Sequence, residues 1–157
     1  MILHEGPLAF FVNSLSFQVH MPGGSGDVTA KRLWLDPRSK KNRLGSPVVR
    51  DGHAYFVNMS GFMECVNLKD GRVVYEERLP STGNNAAAWA SPILVGDRVY
   101  VTNQSGDTHV VRASPTFEVL ATNSVGEYSN STLAVSDGAL YLRTHKGLWC
   151  IGRPAGR

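Results

Sequence analysis

Short apolar runs recur along the chain, and turns rich in Gly, Asp and Asn separate them. The clearest stretch, residues 46–67 (SPVVRDGHAYFVNMSGFMECVN), returns as residues 91–112 and again as residues 132–152. Its β-branched and aromatic runs predict strands that pack on both faces. The Asp51-Gly52 pair predicts a tight hairpin between two of these strands. The pattern therefore predicts an all-β chain built from repeated antiparallel units.

The copies align without gaps at shifts of 45 and then 41 residues, which keeps two residue types in register. These are the tyrosines Tyr55, Tyr100 and Tyr141 and the glycines Gly61, Gly106 and Gly147. The glycines are expected to supply positive backbone angles at the turn between the second and third strands of each unit. Periods of this length, with several short strands in each unit, are typical of β-propeller blades.

We therefore predict a single β-propeller domain over 1–157, a partial ring of about three and a half four-stranded blades. The blades cover approximately residues 1–35, 46–78, 91–121 and 132–152. The first blade is predicted to be incomplete, with its second, third and outermost strands at 8–13, 15–20 and 32–35. The last blade is predicted to lack its outermost strand.

The other predicted strands fill two complete blades and the three-stranded last one. They lie at 47–50, 54–58, 63–67 and 72–78, at 92–95, 98–102, 108–112 and 117–121, and at 133–135, 139–143 and 148–151. A partial ring exposes the apolar faces of its end blades. We expect either the remaining blades of a longer chain or a second copy, in a homodimer that closes the ring, to cover them. A closed four-bladed monomer that uses residues 1–8 as the missing strand is the alternative.

Composition narrows the possible partners. A net charge of +3 with 42% hydrophobic and 18% charged residues is ordinary for a soluble domain, so it favours neither nucleic acid nor a membrane surface. No apolar run is long enough for a membrane span, and residues 1–17 lack the basic leader of a signal peptide. Cys65 and Cys150 are one place out of register in the repeat, so we expect them to point to opposite faces as free, packed thiols.

Loops that leave an outermost strand for the next innermost strand gather at one rim of a propeller, where binding sites usually lie. Here these connections are 36–45, 79–90 and 122–131, and the second-to-third strand turns 58–62, 103–107 and 144–147 are expected at the same rim. Candidate ligand-binding residues on it are Arg43, Asn85, Trp89, Asn103, Asn123, Tyr128, Asn130 and His145.

Each candidate also has a structural interpretation. Trp89 is either a stacking platform or a wedge between two blades, and Arg43 either binds an anionic partner or lies in a solvated loop. The asparagines and Tyr128 either read a polar ligand such as a sugar or stabilise turns. Trp34 and Trp149 lie in strands and are predicted to be core residues. The histidines lack metal-ligand spacing, and no catalytic triad or carboxylate pair is identifiable, so we predict neither a metal site nor catalytic residues.

The stretch Cys65 to Tyr75 (CVNLKDGRVVY) resembles the repeat of the pyrroloquinoline-quinone-like β-propeller proteins of bacteria, with Tyr75 in place of the usual tryptophan. The resemblance covers nearly the whole chain. Within that family, the chain is similar to the exported repeat proteins, among them the propeller lipoprotein of outer-membrane assembly. The resemblance therefore implies a non-catalytic binding or scaffold module, located in the periplasm or elsewhere outside the cytoplasm. It would recognise a protein or a polysaccharide in the bacterial envelope.

The alternative that the resemblance leaves open is a fragment of a quinone- and calcium-dependent dehydrogenase. Such an enzyme needs a calcium site of carboxylate and amide oxygens beside a catalytic Asp, and a Trp platform under the quinone. These residues cannot be matched one by one in this sequence. We therefore expect no cofactor, and pyrroloquinoline quinone (PQQ) and calcium belong to the alternative alone.

Overall fold

The computed structural model describes residues 2–5, 8–12, 17–20, 30, 32–36 and 42–152, and these contain no α-helix. The strands are β1 Ile2–Glu5, β2 Leu8–Val12, β3 Phe17–His20, β4 Arg32–Asp36, β5 Val48–Arg50, β6 His53–Val57, β7 Phe62–Asn67, β8 Val73–Arg78, β9 Ile93–Val95, β10 Arg98–Thr102, β11 Asp107–Arg112, β12 Val119–Ser124, β13 Ala134–Ser136, β14 Ala139–Arg143 and β15 Leu148–Ile151. Within this part of the chain, no helix is long and apolar enough to cross a membrane.

The strands form four antiparallel sheets, and each sheet follows the chain from one strand to the next. Sheet 1 is β1–β4, sheet 2 is β5–β8, sheet 3 is β9–β12 and sheet 4 is β13–β15. Such consecutive four-stranded meanders are propeller blades. The prediction of an all-β partial propeller is therefore confirmed.

The first sheet differs from its prediction. Ile2–Glu5 pairs with Leu8–Val12 and supplies the innermost strand, so the first blade has four strands instead of three. The same pairing rules out the alternative in which residues 1–8 complete the last blade. A four-residue strand is too short to show a clear period. In sheets 2 to 4, by contrast, the predicted strand bounds agree with the structure to within three residues.

Turn geometry explains two further differences. Gly61 and Gly106 have φ angles of 81° and 82°, as predicted, whereas Gly147 has no positive φ. Sheets 2 and 3 place five residues between the last paired residues of their second and third strands, but sheet 4 places four there. Gly147 therefore aligns with the other two glycines in sequence but not in structure.

The shorter turn also changes the placement of the cysteines. Tyr55 pairs with Cys65, and Tyr141 pairs with Cys150, so the two cysteines occupy equivalent positions on equivalent faces. The prediction of opposite faces was wrong because it assumed turns of equal length. Both thiols are free, but Cys65 is buried and Cys150 is exposed, so the expected packing holds for Cys65 alone.

The main core lies between sheets 2 and 3. Its buried residues are Tyr55, Val57, Met63, Cys65, Tyr75, Leu79, Ala88, Val99, Val101, Val111 and Ala113. A smaller core joins sheet 1 to sheet 2, where the Trp34 indole donates a 2.7 Å hydrogen bond from Nε1 to the Leu68 carbonyl. Gly71 lies against the same indole, and a Cβ there would lie 2.7 Å from the Trp34 ring. Trp34 is therefore a structural residue, as predicted.

A repeated hydroxyl links the innermost strands around the axis. The Ser46 amide donates to Ser91 Oγ at 2.9 Å, and the Ser91 amide donates to Thr132 Oγ1 at 3.0 Å. These three residues are equivalent in the repeat. Sheets 2, 3 and 4 are therefore linked at the same point, just before the first strand of each.

Candidate binding surface on the loop rim

One rim of the molecule is built from two kinds of loop that hydrogen-bond to each other, and we call it the loop rim. It contains the connections 42–47, 79–92 and 125–133 and the turns 58–61, 103–106 and 144–147. One backbone hydrogen bond repeats at equivalent positions in sheets 2, 3 and 4. The bonds are Met59 N to Asn42 O at 2.8 Å, Gln104 N to Ala87 O at 2.8 Å and His145 N to Tyr128 O at 3.0 Å. The predicted grouping of connections and turns on one rim is therefore correct.

Two turns are also pressed against the connection that follows them. A Cβ at Gly61 would lie 2.5 Å from the Ala86 carbonyl oxygen, and one at Gly106 would meet the Glu127 carbonyl oxygen. The Leu79 and Val125 amides donate to the carbonyls of Gly61 and Gly106. Because each of these turns is held between successive connections, the loop rim is a continuous scaffold.

Apolar and aromatic side chains are exposed along this scaffold. Leu44 is 51% exposed and Trp89 is 44% exposed, and the two are equivalent, 45 residues apart in the repeat. Tyr128, on the next connection, is also exposed. With this exposure, Trp89 is not a buried wedge between two blades. Leu44 was missed by sequence reasoning, although the repeat shift that relates it to Trp89 could have identified it.

A polar network supports the rim beside these side chains. Gln104 Nε2 donates to Tyr128 Oη at 2.6 Å and to Asn130 Oδ1 at 2.7 Å, and Gln104 Oε1 accepts from Asn85 Nδ2 at 2.7 Å. The His145 ring packs edge-on against Tyr128, with 4.4 Å between ring centroids. The structure therefore brings together four predicted residues around Gln104, which sequence reasoning missed because nothing distinguishes it in the repeat.

Glu127 joins the rim to the last sheet. Its Oε2 accepts a 2.6 Å hydrogen bond from Thr144 Oγ1 and a 3.1 Å bond from the Trp149 indole. These two donors, Thr144 first, lower the pKa of Glu127. Glu127 therefore helps to orient Trp149.

Arg43 and Asn103 lie beneath the surface instead of on it. Arg43 is buried, forms a 2.5 Å ion pair with Glu64, and lies over the Phe56 ring at 5.1 Å. Both interpretations of Arg43, as an anion site and as part of a solvated loop, were therefore wrong. Its partner Glu64 is distant in sequence, so the composition of the loop did not indicate it. Asn103 is buried and donates to Asp107 at 3.1 Å.

Asn123 lies elsewhere. It belongs to β12 and lines a cavity of about 390 Å³ between sheets 3 and 4. The cavity is also lined by Tyr100, Thr108, Ser124, Val125, Leu133, Leu140, Trp149 and Ile151. Trp149 is 40% exposed, so its prediction as a core residue was wrong.

Asp107 is a buried carboxylate just below the rim. Its Oδ2 accepts from the Thr82 amide at 2.8 Å and from Ser81 Oγ at 3.2 Å, and Thr82 Oγ1 donates to Oδ1. Burial alone would raise the pKa of Asp107, but the hydrogen bonds, those from Thr82 above all, lower it well below its usual range. Donors from the protein itself therefore already occupy both oxygens.

The dehydrogenase alternative would require a calcium site of carboxylate and amide oxygens. The described part of the chain has no group of three or more His, Cys, Asp or Glu side chains that could hold a metal ion. The Asp107 carboxylate accepts hydrogen bonds from several protein donors, so it has little capacity left to bind a calcium ion.

Repeated antiparallel blades, hydroxyls that link their innermost strands and a rim of interlocked loops are features of a β-propeller. Comparison with known families shows that its repeats are PQQ-like. A family model described as "Outer membrane protein assembly factor BamB" matches residues 27–157. The chain belongs to this family. No curated protein matches the chain.

Solved structures share the fold at low sequence identity. BamB from Moraxella catarrhalis has a TM-score of 0.74 and 17% identity, with 97% of this chain and 48% of that chain covered. The chain thus spans about half the length of that relative. The computationally designed Ika4 protein has a TM-score of 0.70 and 14% identity, over 96% of this chain and 89% of that chain. The quinohemoprotein alcohol dehydrogenase ADHIIG from Pseudomonas putida HK5 has a TM-score of 0.69 and 10% identity, over 90% of this chain and 27% of that chain.

Proposed function

We propose that this chain is a non-catalytic binding module of the bacterial envelope that recognises a protein partner through its loop rim. The observation that carries the proposal is the exposed row of Leu44, Trp89 and Tyr128 on interlocked loops. Aromatic side chains held on a rigid scaffold are typical energetic centres of protein interfaces, because little conformational entropy is lost when they bind.

The polar residues of the rim favour a protein over a sugar. Asn85, Gln104, Tyr128 and Asn130 already bond to one another, so they have little donor and acceptor capacity left for sugar hydroxyls. The apolar groups beside them remain bare. A partner that covers the rim with apolar side chains therefore gains more binding free energy than a partner that offers only hydroxyls.

Membership of the family described as an outer membrane protein assembly factor supports a role in that process on the periplasmic side. The chain spans about half of the BamB structure that it resembles. That a whole protein of this kind binds a protein partner is therefore also proposed here. The same family membership supports a location in the periplasm.

Site-specific photo-crosslinking tests this function. A photoreactive amino acid at position 89 should crosslink in cells to a protein that takes part in outer-membrane protein assembly. The matched control carries the same amino acid at Val95, which is comparably exposed in the β9–β10 hairpin at the other end of the strands. Crosslinks from both positions alike, or from Val95 alone, would contradict a binding surface on the loop rim.

A separate titration addresses the dehydrogenase alternative. Pure protein is mixed with PQQ and Ca²⁺, and quinone absorbance and dye reduction are followed. We expect neither to change. Saturable absorbance changes with turnover of an alcohol would overturn the non-catalytic proposal.

The outward face of sheet 4 leads to a second proposal, on how the ring is completed. Leu148 and Cys150 are exposed there, at the positions that Met63 and Cys65 occupy in the buried core of sheet 2. We propose that further blades cover this face, supplied by a longer chain or by a second copy. Light scattering separates the two sources, because a dimer of this chain supports the second copy and a monomer rules it out.

A further inference from the structure

Tyr128 is the residue of the loop rim at which a chain of side-chain hydrogen bonds ends. Its side chain is 38% exposed. The His145 ring packs edge-on against it, and the His145 amide donates to the Tyr128 carbonyl at 3.0 Å. The ring is therefore held at its backbone and on one side, and the hydrogen bonds of its oxygen set the direction of the hydroxyl group.

The direction of these bonds can be followed from a group that has only one possible role. The Ala87 backbone amide can only donate, and it donates to Asn85 Oδ1 at 3.2 Å. The other end of the Asn85 side chain, Nδ2, therefore faces Gln104 and donates to its Oε1 at 2.7 Å. This bond in turn fixes the orientation of the Gln104 amide, so that its Nε2 faces the connection that carries Tyr128.

Gln104 continues the same direction across the rim. Its Nε2 donates to Asn130 Oδ1 at 2.7 Å and to Tyr128 Oη at 2.6 Å. Because Asn130 accepts through Oδ1, its Nδ2 remains as a donor, and it donates to Tyr128 Oη at 3.2 Å. A reversed amide at any of these steps would place two donors or two acceptors against each other, so the orientation of the whole chain of bonds follows from one backbone amide.

The Tyr128 oxygen therefore accepts two hydrogen bonds, and its own hydrogen is left over. No described residue accepts a hydrogen bond from Tyr128 Oη. An ordinary exposed hydroxyl rotates and can act as donor or acceptor. Here the two accepted bonds occupy the oxygen, so the O–H bond is turned away from Gln104 and Asn130, toward the exposed side of the rim.

We propose that Tyr128 is a specificity-determining donor of the loop rim, and that it donates this hydrogen to a peptide carbonyl of the bound protein. The inference rests on the proposed function of the rim and adds a chemical group that the partner must present. A peptide N–H or a cationic side chain at this point would meet a donor that cannot turn without breaking the chain of bonds, so the rim rejects such groups. A carbonyl oxygen completes the chain of bonds instead.

Neutron diffraction from a deuterated crystal of the chain shows hydrogen positions directly and needs no partner. We expect one deuterium between Gln104 Nε2 and Tyr128 Oη, a second between Asn130 Nδ2 and the same oxygen, and the hydroxyl deuterium on the far side of that oxygen. A hydroxyl deuterium that lies between Tyr128 Oη and either amide would overturn the inference, whatever the rim binds.

Photo-crosslinking in cells from position 89 tests the role of the donor in binding. Tyr128→Phe should reduce the crosslinked fraction about tenfold, because the partner carbonyl loses its donor. Asn130→Asp should also reduce it, since a carboxylate oxygen in place of Nδ2 would accept the Tyr128 hydrogen and turn it inward. Both side chains are exposed, so both variants are expected to fold.

Each variant has a matched control outside the loop rim. Tyr100→Phe removes the same hydroxyl from β10, and Asn123→Asp adds the same charge to β12. Both controls should leave the crosslinked fraction unchanged. A loss in the two rim variants without a loss in the controls would support the inference.

The remaining outcomes separate this inference from the proposed function. An unchanged crosslinked fraction in Tyr128→Phe would overturn the inference and leave the binding surface in place. A loss in Tyr128→Phe alone would assign the effect to the oxygen as an acceptor, and a similar loss in the controls would make it unspecific, so either result would also overturn the inference. The absence of any crosslink from position 89 in the original chain would overturn the proposed function and the inference together.

Discussion

The interface between sheets 2 and 3 and the interface between sheets 3 and 4 are built from the same repeat, yet only the first is closely packed. Between sheets 2 and 3, Met63, Cys65, Val99 and Val111 are all completely buried. Between sheets 3 and 4 lies a cavity, and Trp149 at its wall is 40% exposed. The inner strands of sheets 2, 3 and 4 carry the same repeated pattern of β-branched and aromatic residues. These strands therefore do not cause the difference in packing between the two interfaces.

The outer strands account for it. Tyr75 of sheet 2 packs against Phe117 at 5.3 Å between ring centroids, and Val119 packs on the same core. At the next interface, Ala121 occupies the position of Tyr75, because each lies opposite the equivalent residue of the third strand. No described strand of sheet 4 supplies counterparts of Phe117 and Val119. Packing between blades in this fold therefore depends on outer-strand side chains.

The two cysteines should show the largest difference between the buried and the open positions. Burial raises the pKa of the Cys65 thiol to about 12, although a hydrogen bond with Tyr55 partly offsets this effect. Cys150, at the equivalent position, is exposed. An aromatic disulfide reagent at pH 8 should label Cys150 about a thousandfold faster or more, since Cys65 must first be uncovered by unfolding. Equal labelling rates in the folded protein would contradict the comparison.

Truncation of one matched pair should give the next largest difference. Met63 is 0% exposed and Leu148 is 69% exposed, and both occupy the same place in their sheets. Met63→Ala should lower the free energy of unfolding by about 2–5 kcal/mol through lost burial and a new cavity. Leu148→Ala should change it by less than about 0.5 kcal/mol. Urea denaturation of both variants checks this, and similar losses would mean that the outer face of sheet 4 is covered.

Mild acid should weaken the packed interface through His109. Burial lowers the pKa of this side chain, although nearby Asp107 partly opposes the shift, and Nε2 has no hydrogen-bond partner among the described residues. His109 therefore binds a proton less readily in the folded state than in the unfolded state. The contribution of neutral His109 to the free energy of unfolding is fully present above the ordinary pKa of about 6.5. It is lost as the pH falls toward the lower pKa of the folded state. His109→Gln should flatten the decrease in unfolding free energy between about pH 6.5 and 5. If the unfolding free energy of the variant falls as steeply with pH as that of the original chain, groups other than His109 cause the decrease.

The smallest expected effect comes from filling the open interface. Ala121→Tyr places an aromatic ring where Tyr75 lies in sheet 2, on the face turned toward sheet 4. We expect a gain in unfolding free energy of up to about 1 kcal/mol, together with reduced access of acrylamide to Trp149. Leu120→Tyr, at the bulged position next to it, serves as the control. A destabilised Ala121→Tyr with unchanged quenching would show that the ring does not enter the cavity.

Sequence alone predicted the repeating architecture, because strands and tight turns recur at fixed shifts. It failed where contacts are long-range or units are unequal. The ion pair of Arg43 with Glu64 joins a connection to a strand far along the chain, and the shortened turn at Gly147 is hidden by a gapless alignment. Trp149 is a large aromatic residue in a strand, which is typical of a core residue. It is exposed because the described strands of sheet 4 include no outer strand beside it.

The same limits apply to the rim. Asn85, Tyr128, Asn130 and His145 were predicted as rim residues and do lie together there, but their meeting point, Gln104, has no distinctive neighbours in sequence. Asn85, Tyr128 and Asn130 reach Gln104 from separate loops. The sequence of any one loop therefore does not show that their polar atoms already bond to one another.

Amide hydrogen exchange of the chain alone tests most directly whether this molecule is an open sector of a propeller. We expect slow exchange in β7 and β11, which lie between paired strands, and fast exchange in β15, which pairs with a described strand on one side only. Protection of β15 equal to that of β11 would mean that a strand already covers its other side, and it would contradict the open sector described above.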